Sequence, residues 1–204
     1  MSKQSTSLES TSLGNGRKIL LGLALIFILP FTIAATLHLL NISPASHSYG
    51  DLITPPKALK LAPLHDAQGR DFSAQQWLKI WSVVMVDSTG CEASCQAQVH
   101  LLKQVHTSLD KEMKRVQRVL IVPNHLNIEA FAALQTQYPD LIILGGADTK
   151  TANFASQFSV NGQTAGQVYL VDPLGNLMMS YSKNQDQKGM RSDIKRLLKN
   201  SWAG

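Results

Sequence analysis

The chain has 204 residues, enough for one domain with a sizeable core and an additional segment besides. The formal charge is only +5 and the basic residues are scattered without a dense block, which excludes the kind of patch that grips nucleic acid. Composition is otherwise that of an ordinary globular protein, with 44% hydrophobic residues and two cysteines.

Residues 1–18 open with a Ser-, Thr-, Gly- and Asn-rich stretch without hydrophobic periodicity, expected as a disordered cytoplasmic tail. Arg17 and Lys18 precede an uncharged apolar run, Ile19 to Leu40. At a rise of 1.5 Å per residue it reaches about 33 Å as a helix, enough to cross a bilayer. Basic residues before the span and none just after it orient the N-terminus to the cytoplasm and the rest outside. In a bacterial cell this is a single-pass protein of the inner membrane with a periplasmic domain, where two cysteines can oxidise. A cleaved signal peptide, with a weak site near Ala34-Ala35, is the competing reading. Pro30 in mid-span is tolerable in lipid.

Residues 41–60 hold three of the eight prolines and read as an extended linker before a domain spanning 61–204. A short strand, a turn at Asp66-Ala67-Gln68-Gly69 and a return strand come next, then one helical turn capped by Ser73. Trp81–Asp87 is a buried strand by its apolar, β-branched run. A long helix follows from Cys91 to about Lys114, then a second strand, Val116–Val122. Asn127 caps a helix reaching Tyr138, Leu141–Leu144 is a third strand, and Thr149 to Phe158 is helical. QVYLVD and NLMMSY, joined by Pro173-Leu174-Gly175, form a hairpin, and Gly189 to Asn200 closes the domain as a basic helix. The expected class is α/β: a parallel sheet finished by antiparallel strands, with flanking helices, preceded by one N-terminal transmembrane helix.

The chemistry concentrates in STGCEASCQ, which carries Cys91 and Cys95. Thr89 and Glu92 fit a capping box, which would place Cys91 in a first helical turn where free N–H groups and the helix dipole favour a thiolate. Cys95 follows about 40° round the axis, on the face of Leu102, Val105 and Leu109, so both sulfurs should sit at the core edge. Helical i,i+4 Cα atoms are about 6 Å apart, within reach of a disulfide, and two thiolates also suit a soft ion such as Cu(I). An inert local bridge is the alternative, although so short a loop gives little entropic stabilisation and Glu92 opposes a thiolate. A third ligand is hard to find. His100 points away, His106 is about 16 Å further along the helix, and His38, His47 and His65 precede the core. His125 stands alone after a strand, and Met178 and Met179 read as packing.

With CxxxC at the strand-to-helix junction, the order of elements resembles the thioredoxin fold, and especially the Sco family of copper chaperones. The resemblance runs from about Leu61 to Leu198, on CEASC and on the hairpin VYLVDPLGNL. It implies a membrane-anchored, exported protein serving cytochrome c oxidase assembly, with Cys91 and Cys95 matching the family's two thiolates. The family's copper-binding histidine falls at Thr164 in this sequence, its prolines after the cysteines are missing, and the segment NGQTAGQ lacks a thioredoxin-type cis-proline. CEASCQAQVHLLKQVHTSLDKEMKRVQRVLIV and the linker Gly50-Asp51-Leu52-Ile53-Thr54-Pro55-Pro56 are also similar to small single-pass proteins described as cytochrome oxidase associated.

The reading that results is a membrane-anchored periplasmic accessory factor for cytochrome c oxidase assembly, with Cys91 and Cys95 as a redox-active or Cu(I)-handling pair. No cofactor is required. Oxidase subunits or other assembly factors and the membrane itself are the implied partners, with no nucleic acid. A thiol-disulfide oxidoreductase and a non-catalytic binding module with a structural disulfide stay open as alternatives.

Overall fold

The computed structural model describes residues 13–40, 48–123, 128–145, 149–159, 167–183 and 186–201. It falls into two compact units, Met1–His47 and Ser48–Gly204. The first contains helix α1, Leu13–Leu39, in which Gly16–Leu37 is long and apolar enough to cross a membrane. Large apolar side chains such as Ile26, Phe27 and Phe31 are exposed all along it, as a helix solvated by lipid requires.

The second unit is built on a six-stranded sheet. Its strands are β1 (Asp51–Ala58), β4 (Trp81–Val86), β5 (Val116–Val122), β6 (Leu141–Gly145), β7 (Val168–Val171) and β8 (Asn176–Tyr181). Their spatial order is β1-β8-β7-β4-β5-β6. β4, β5 and β6 are parallel, and β7, β8 and β1 add antiparallel strands on the other side of β4. A two-stranded ladder, β2 (Leu64–His65) with β3 (Asp71–Phe72), stands beside it. Helices α2 (Ala93–Thr107), α3 (Ile128–Gln137), α4 (Thr149–Ala155) and α5 (Gln187–Asn200) complete the unit.

Alternation along β4 divides the core in two. Trp81, Val83 and Met85 join a cluster with Val99, Leu102 and Val105 of α2, Phe131 and Leu134 of α3, and Met190, Ile194 and Leu198 of α5. Val84 and Val86 join the opposite cluster with Trp77, Phe154, Phe158 and Tyr169. Successive strand side chains point to opposite faces, so β4 is buried at every residue and apolar at every position but Ser82. Trp77, ending the turn that Ser73 initiates, meets Phe72 edge-on at 5.5 Å and Phe154 at 5.2 Å.

Two expectations need correction. Of the expected linker, Asp51–Ala58 is an edge strand paired with β8. Pairing is broken between Leu52 and Lys57, around Pro55 and Pro56, which have no N–H to donate. Only an edge strand tolerates that loss. Entry to β1 is fixed by Asp193 of α5, whose Oδ2 accepts the amides of Tyr49 (2.8 Å) and Gly50 (3.0 Å). Gly50 is needed there because a Cβ would lie 2.5 Å from the Tyr181 ring. The long helix is also shorter than expected. It ends at Thr107, and a 3₁₀ segment, Asp110–Arg115, continues to β5 after Asp110 adopts φ 55°. Asn127, the expected cap of α3, lies outside the described residues.

Candidate functional site

Cys91 and Cys95 form a disulfide, with Cα atoms 4.8 Å apart. Cys91 lies in the loop between β4 and α2 and Cys95 in the first turn of α2, and they are 4% and 6% exposed within the core cluster that also holds Val99 and Leu102. The face expected for the sulfurs is therefore the observed one. The local backbone is not. In place of a capping box at Thr89, the helix starts at Ala93, with Glu92 as N-cap in extended geometry and no side-chain cap bond.

The cause is Asp87, the residue that follows β4. Its Oδ2 accepts the backbone N–H of Cys91 at 2.6 Å, and the Thr89 hydroxyl donates to both carboxylate oxygens, at 2.8 and 3.2 Å. The Thr89 side chain is thereby withdrawn from capping. Folding the loop back on Asp87 puts Gly90 at φ 87° and Cys91 at φ 56°, two consecutive left-handed residues. Cys91 thus precedes the helix, and its Cα lies closer to Cys95 than helical spacing allows. Cys95 is the cysteine inside the first turn, at the third helical position, where the helix dipole favours a thiolate. Gln96 Nε2 covers the Cys91 carbonyl at 3.2 Å.

Sequence reasoning takes Asp87 only as the last residue of the strand Trp81–Asp87, since nothing local shows what its carboxylate meets. It is 8% exposed and no cation lies within ion-pairing distance of it among the described residues. One carboxylate oxygen of Asp87 and the two Sγ atoms lie within 4.8 Å of one another. Beside them opens a cavity of about 190 Å³ lined by Asp87, Thr89, Ser94, Cys95, Gln98 and Lys183, among others.

The histidines are elsewhere. Those with described side chains are engaged: His100 with the Tyr138 hydroxyl at 3.1 Å, His65 with Asp71 at 3.2 Å. The Nε2 of His106 donates to the carbonyls of Met113 and Val116. Met179 is 2% exposed in the core and Met178 packs against it, so both methionines are packing residues. His47, His125, Thr164 and the NGQTAG segment lie outside the described residues, and the side chain of His38 is likewise undescribed.

A second polar cluster occupies the other end of the parallel strands. Arg118 of β5, only 1% exposed, lies 2.9 Å from Asp140 Oδ2, which also receives Lys103 on Oδ1 at 3.1 Å. His106 Nδ1 is 3.6 Å from the same carboxylate. Partial burial would raise the Asp140 carboxyl, but the hydrogen bonds and charges of Arg118 and Lys103 outweigh it and hold the group at about 2.

A mixed sheet with a disulfide at the first parallel strand-to-helix junction defines a thioredoxin-like protein. The chain belongs to the family described as the transmembrane-like, thioredoxin-like, C-terminal domain, whose model matches residues 81–201. Its fold is similar to yeast Sco1 with copper bound, at TM-score 0.62 and 19% identity, covering 72% of this chain and 95% of that one. Apo Sco1 from Thermus thermophilus gives TM-score 0.57 and 21% identity over 76% and 98% of the two chains. BsSco, described with a disulfide switch and as a member of the Sco family of cytochrome c oxidase assembly proteins, gives 0.55 and 16% over 74% and 99%. No curated protein sequence matches the chain.

Proposed function

We propose that this chain is a membrane-anchored, thioredoxin-like accessory factor for cytochrome c oxidase assembly, with Cys91 and Cys95 as its working thiol pair. The carrying observation is the disulfide itself, set at the β4–α2 junction beside a polar cavity. The Sco-like fold supports the pathway, and the disulfide switch described for BsSco supports a bridge that opens and closes. Arg17 and Lys18 ahead of the apolar helix favour a cytoplasmic N-terminus and a periplasmic domain in the inner membrane.

Opening the bridge takes two electrons from a partner dithiol, which becomes a disulfide as Cys91 and Cys95 become thiols. In that state the two sulfurs fit Cu(I), a soft ion that thiolates select, and the fit rests on the donor chemistry of the pair. Copper would be cargo here, delivered rather than retained. The same exchange run with a substrate disulfide would make the chain a thiol-disulfide oxidoreductase.

One observation favours a different reading. Both cysteines are almost fully buried, as in a binding module stapled by a structural bridge. The two are separated by incubating the folded chain in graded dithiol buffers and alkylating the released thiols. A working pair opens in mild dithiol without denaturant, and Cu(I) then binds one per chain in a cysteine-dependent manner. A bridge that resists reduction until the chain unfolds contradicts the proposed function.

A further inference from the structure

We propose that in the reduced chain Asp87 is a third metal donor, so that Asp87, Cys91 and Cys95 together hold a divalent, zinc-like cation. The inference rests on the reading that the Cys91–Cys95 bridge opens, and it goes beyond that reading in naming a residue and a class of ion.

The geometry brings together three donor atoms from nine residues of chain, Asp87 to Cys95. A carboxylate oxygen of Asp87 and both sulfurs lie within 4.8 Å of one another, all on buried residues. Ligand atoms around a tetrahedral zinc stand roughly 3.3–3.8 Å apart, given bond lengths of about 2.0–2.3 Å. Breaking the S–S bond separates the sulfurs in the direction this requires. The Asp87 carboxylate is already oriented, because the Cys91 amide and the Thr89 hydroxyl fix it from one side. Such outer hydrogen bonds to a ligating carboxylate hold it in place for an ion. The adjoining cavity of about 190 Å³ has room for a water as fourth ligand.

Charge supports the same assignment. A buried carboxylate is ordinarily matched by a cation, as Asp193 of α5 is by Arg196 at 3.5 Å. Among the described residues, Asp87 receives neutral donors, the amide of Cys91 and the hydroxyl of Thr89, and makes no ion pair. The donor set then decides the class of ion. Two thiolates alone satisfy Cu(I), whereas a carboxylate added to two thiolates suits a borderline divalent cation. The reaction balances: a partner dithiol supplies two electrons and two protons and becomes a disulfide, the Cys91–Cys95 bridge becomes two thiols, and binding of the divalent ion as their dithiolate releases those two protons.

The test uses the full chain in detergent, reduced with a phosphine under anaerobic conditions and titrated with Co(II). Expected are one Co(II) per chain, thiolate-to-metal charge transfer, intense tetrahedral d–d bands, and displacement of the cobalt by Zn(II). The disulfide form should bind none. Asp87→Asn retains an oxygen for the Cys91 amide and so keeps the loop, which circular dichroism verifies. It should weaken Co(II) by at least about tenfold and by more than it weakens Cu(I), and Asp87→His should restore a tetrahedral spectrum. Equal Co(II) affinity in Asp87→Asn, or octahedral bands in the parent chain, would overturn the inference while leaving the thiol-pair function standing. If the bridge cannot be opened at all, both fall together.

Discussion

Asp87 and Asp140 stand at opposite ends of the parallel strands, and the fold treats them in opposite ways. Asp140 precedes β6 and is surrounded by Arg118, Lys103 and His106, so its charge is spent on holding a buried guanidinium. Asp87 follows β4, is more deeply buried, and receives only hydrogen bonds from its own loop. The first end is electrostatically closed and serves stability. The second sets a buried carboxyl group, without an ion-pair partner among the described residues, beside a disulfide. The proposed function places the chemistry at the second end.

Substitutions can break this contrast. The largest effect is expected for Asp140→Ala, which leaves Arg118 buried without a counter-ion. Urea denaturation should show a loss of about 3 kcal/mol, the low end for a broken buried pair because Asp140 is itself partly exposed. A loss under about 1 kcal/mol would mean that this end is not the electrostatic anchor described here. Next comes Asp193→Ala, which removes the acceptor of the Tyr49 and Gly50 amides and should cost about 2 kcal/mol in the same assay. Proteolysis should then become faster near β1.

Acid sharpens the comparison further. The Asp140 carboxyl is held at about 2, below its ordinary value, so its stabilising contribution is complete above about pH 4. It is lost as pH falls from about 4 towards 2. Replacing Asp140 with Asn should flatten this limb of the stability curve, and an unchanged limb would contradict the assignment. The smallest effect is expected at the other end. Asp87→Asn should cost less than about 1 kcal/mol, since the amide oxygen still accepts from Cys91. A loss comparable with that of Asp140→Ala would make Asp87 a structural residue like its counterpart.

Much of the sheet was legible in the residues. Trp81–Val86, Val116–Val122 and Leu141–Gly145 are predominantly apolar, interrupted by Ser82, Gln117 and Arg118, because both faces of each strand are covered. The hairpin announced itself through Pro173-Leu174-Gly175. β1 did not, because Pro55 and Pro56 signal a linker unless the strand is known to lie at an edge. The cysteines and their core-facing orientation were also readable. The start of α2 was misread because Thr89-x-x-Glu92 is a sound local cap, and nothing local reveals that Asp87 competes for Thr89 and the Cys91 amide. That competition exists only once β4 places the acid under the loop.

The central claim is that Cys91 and Cys95 act in oxidase assembly rather than as a staple. Its most direct test is cytochrome c oxidase activity and copper content in cells where the Cys91→Ser, Cys95→Ser variant replaces the native chain at matched protein level. The account predicts that the variant is present, folded and unable to support oxidase maturation. Normal oxidase activity and copper content at equal protein level would contradict it.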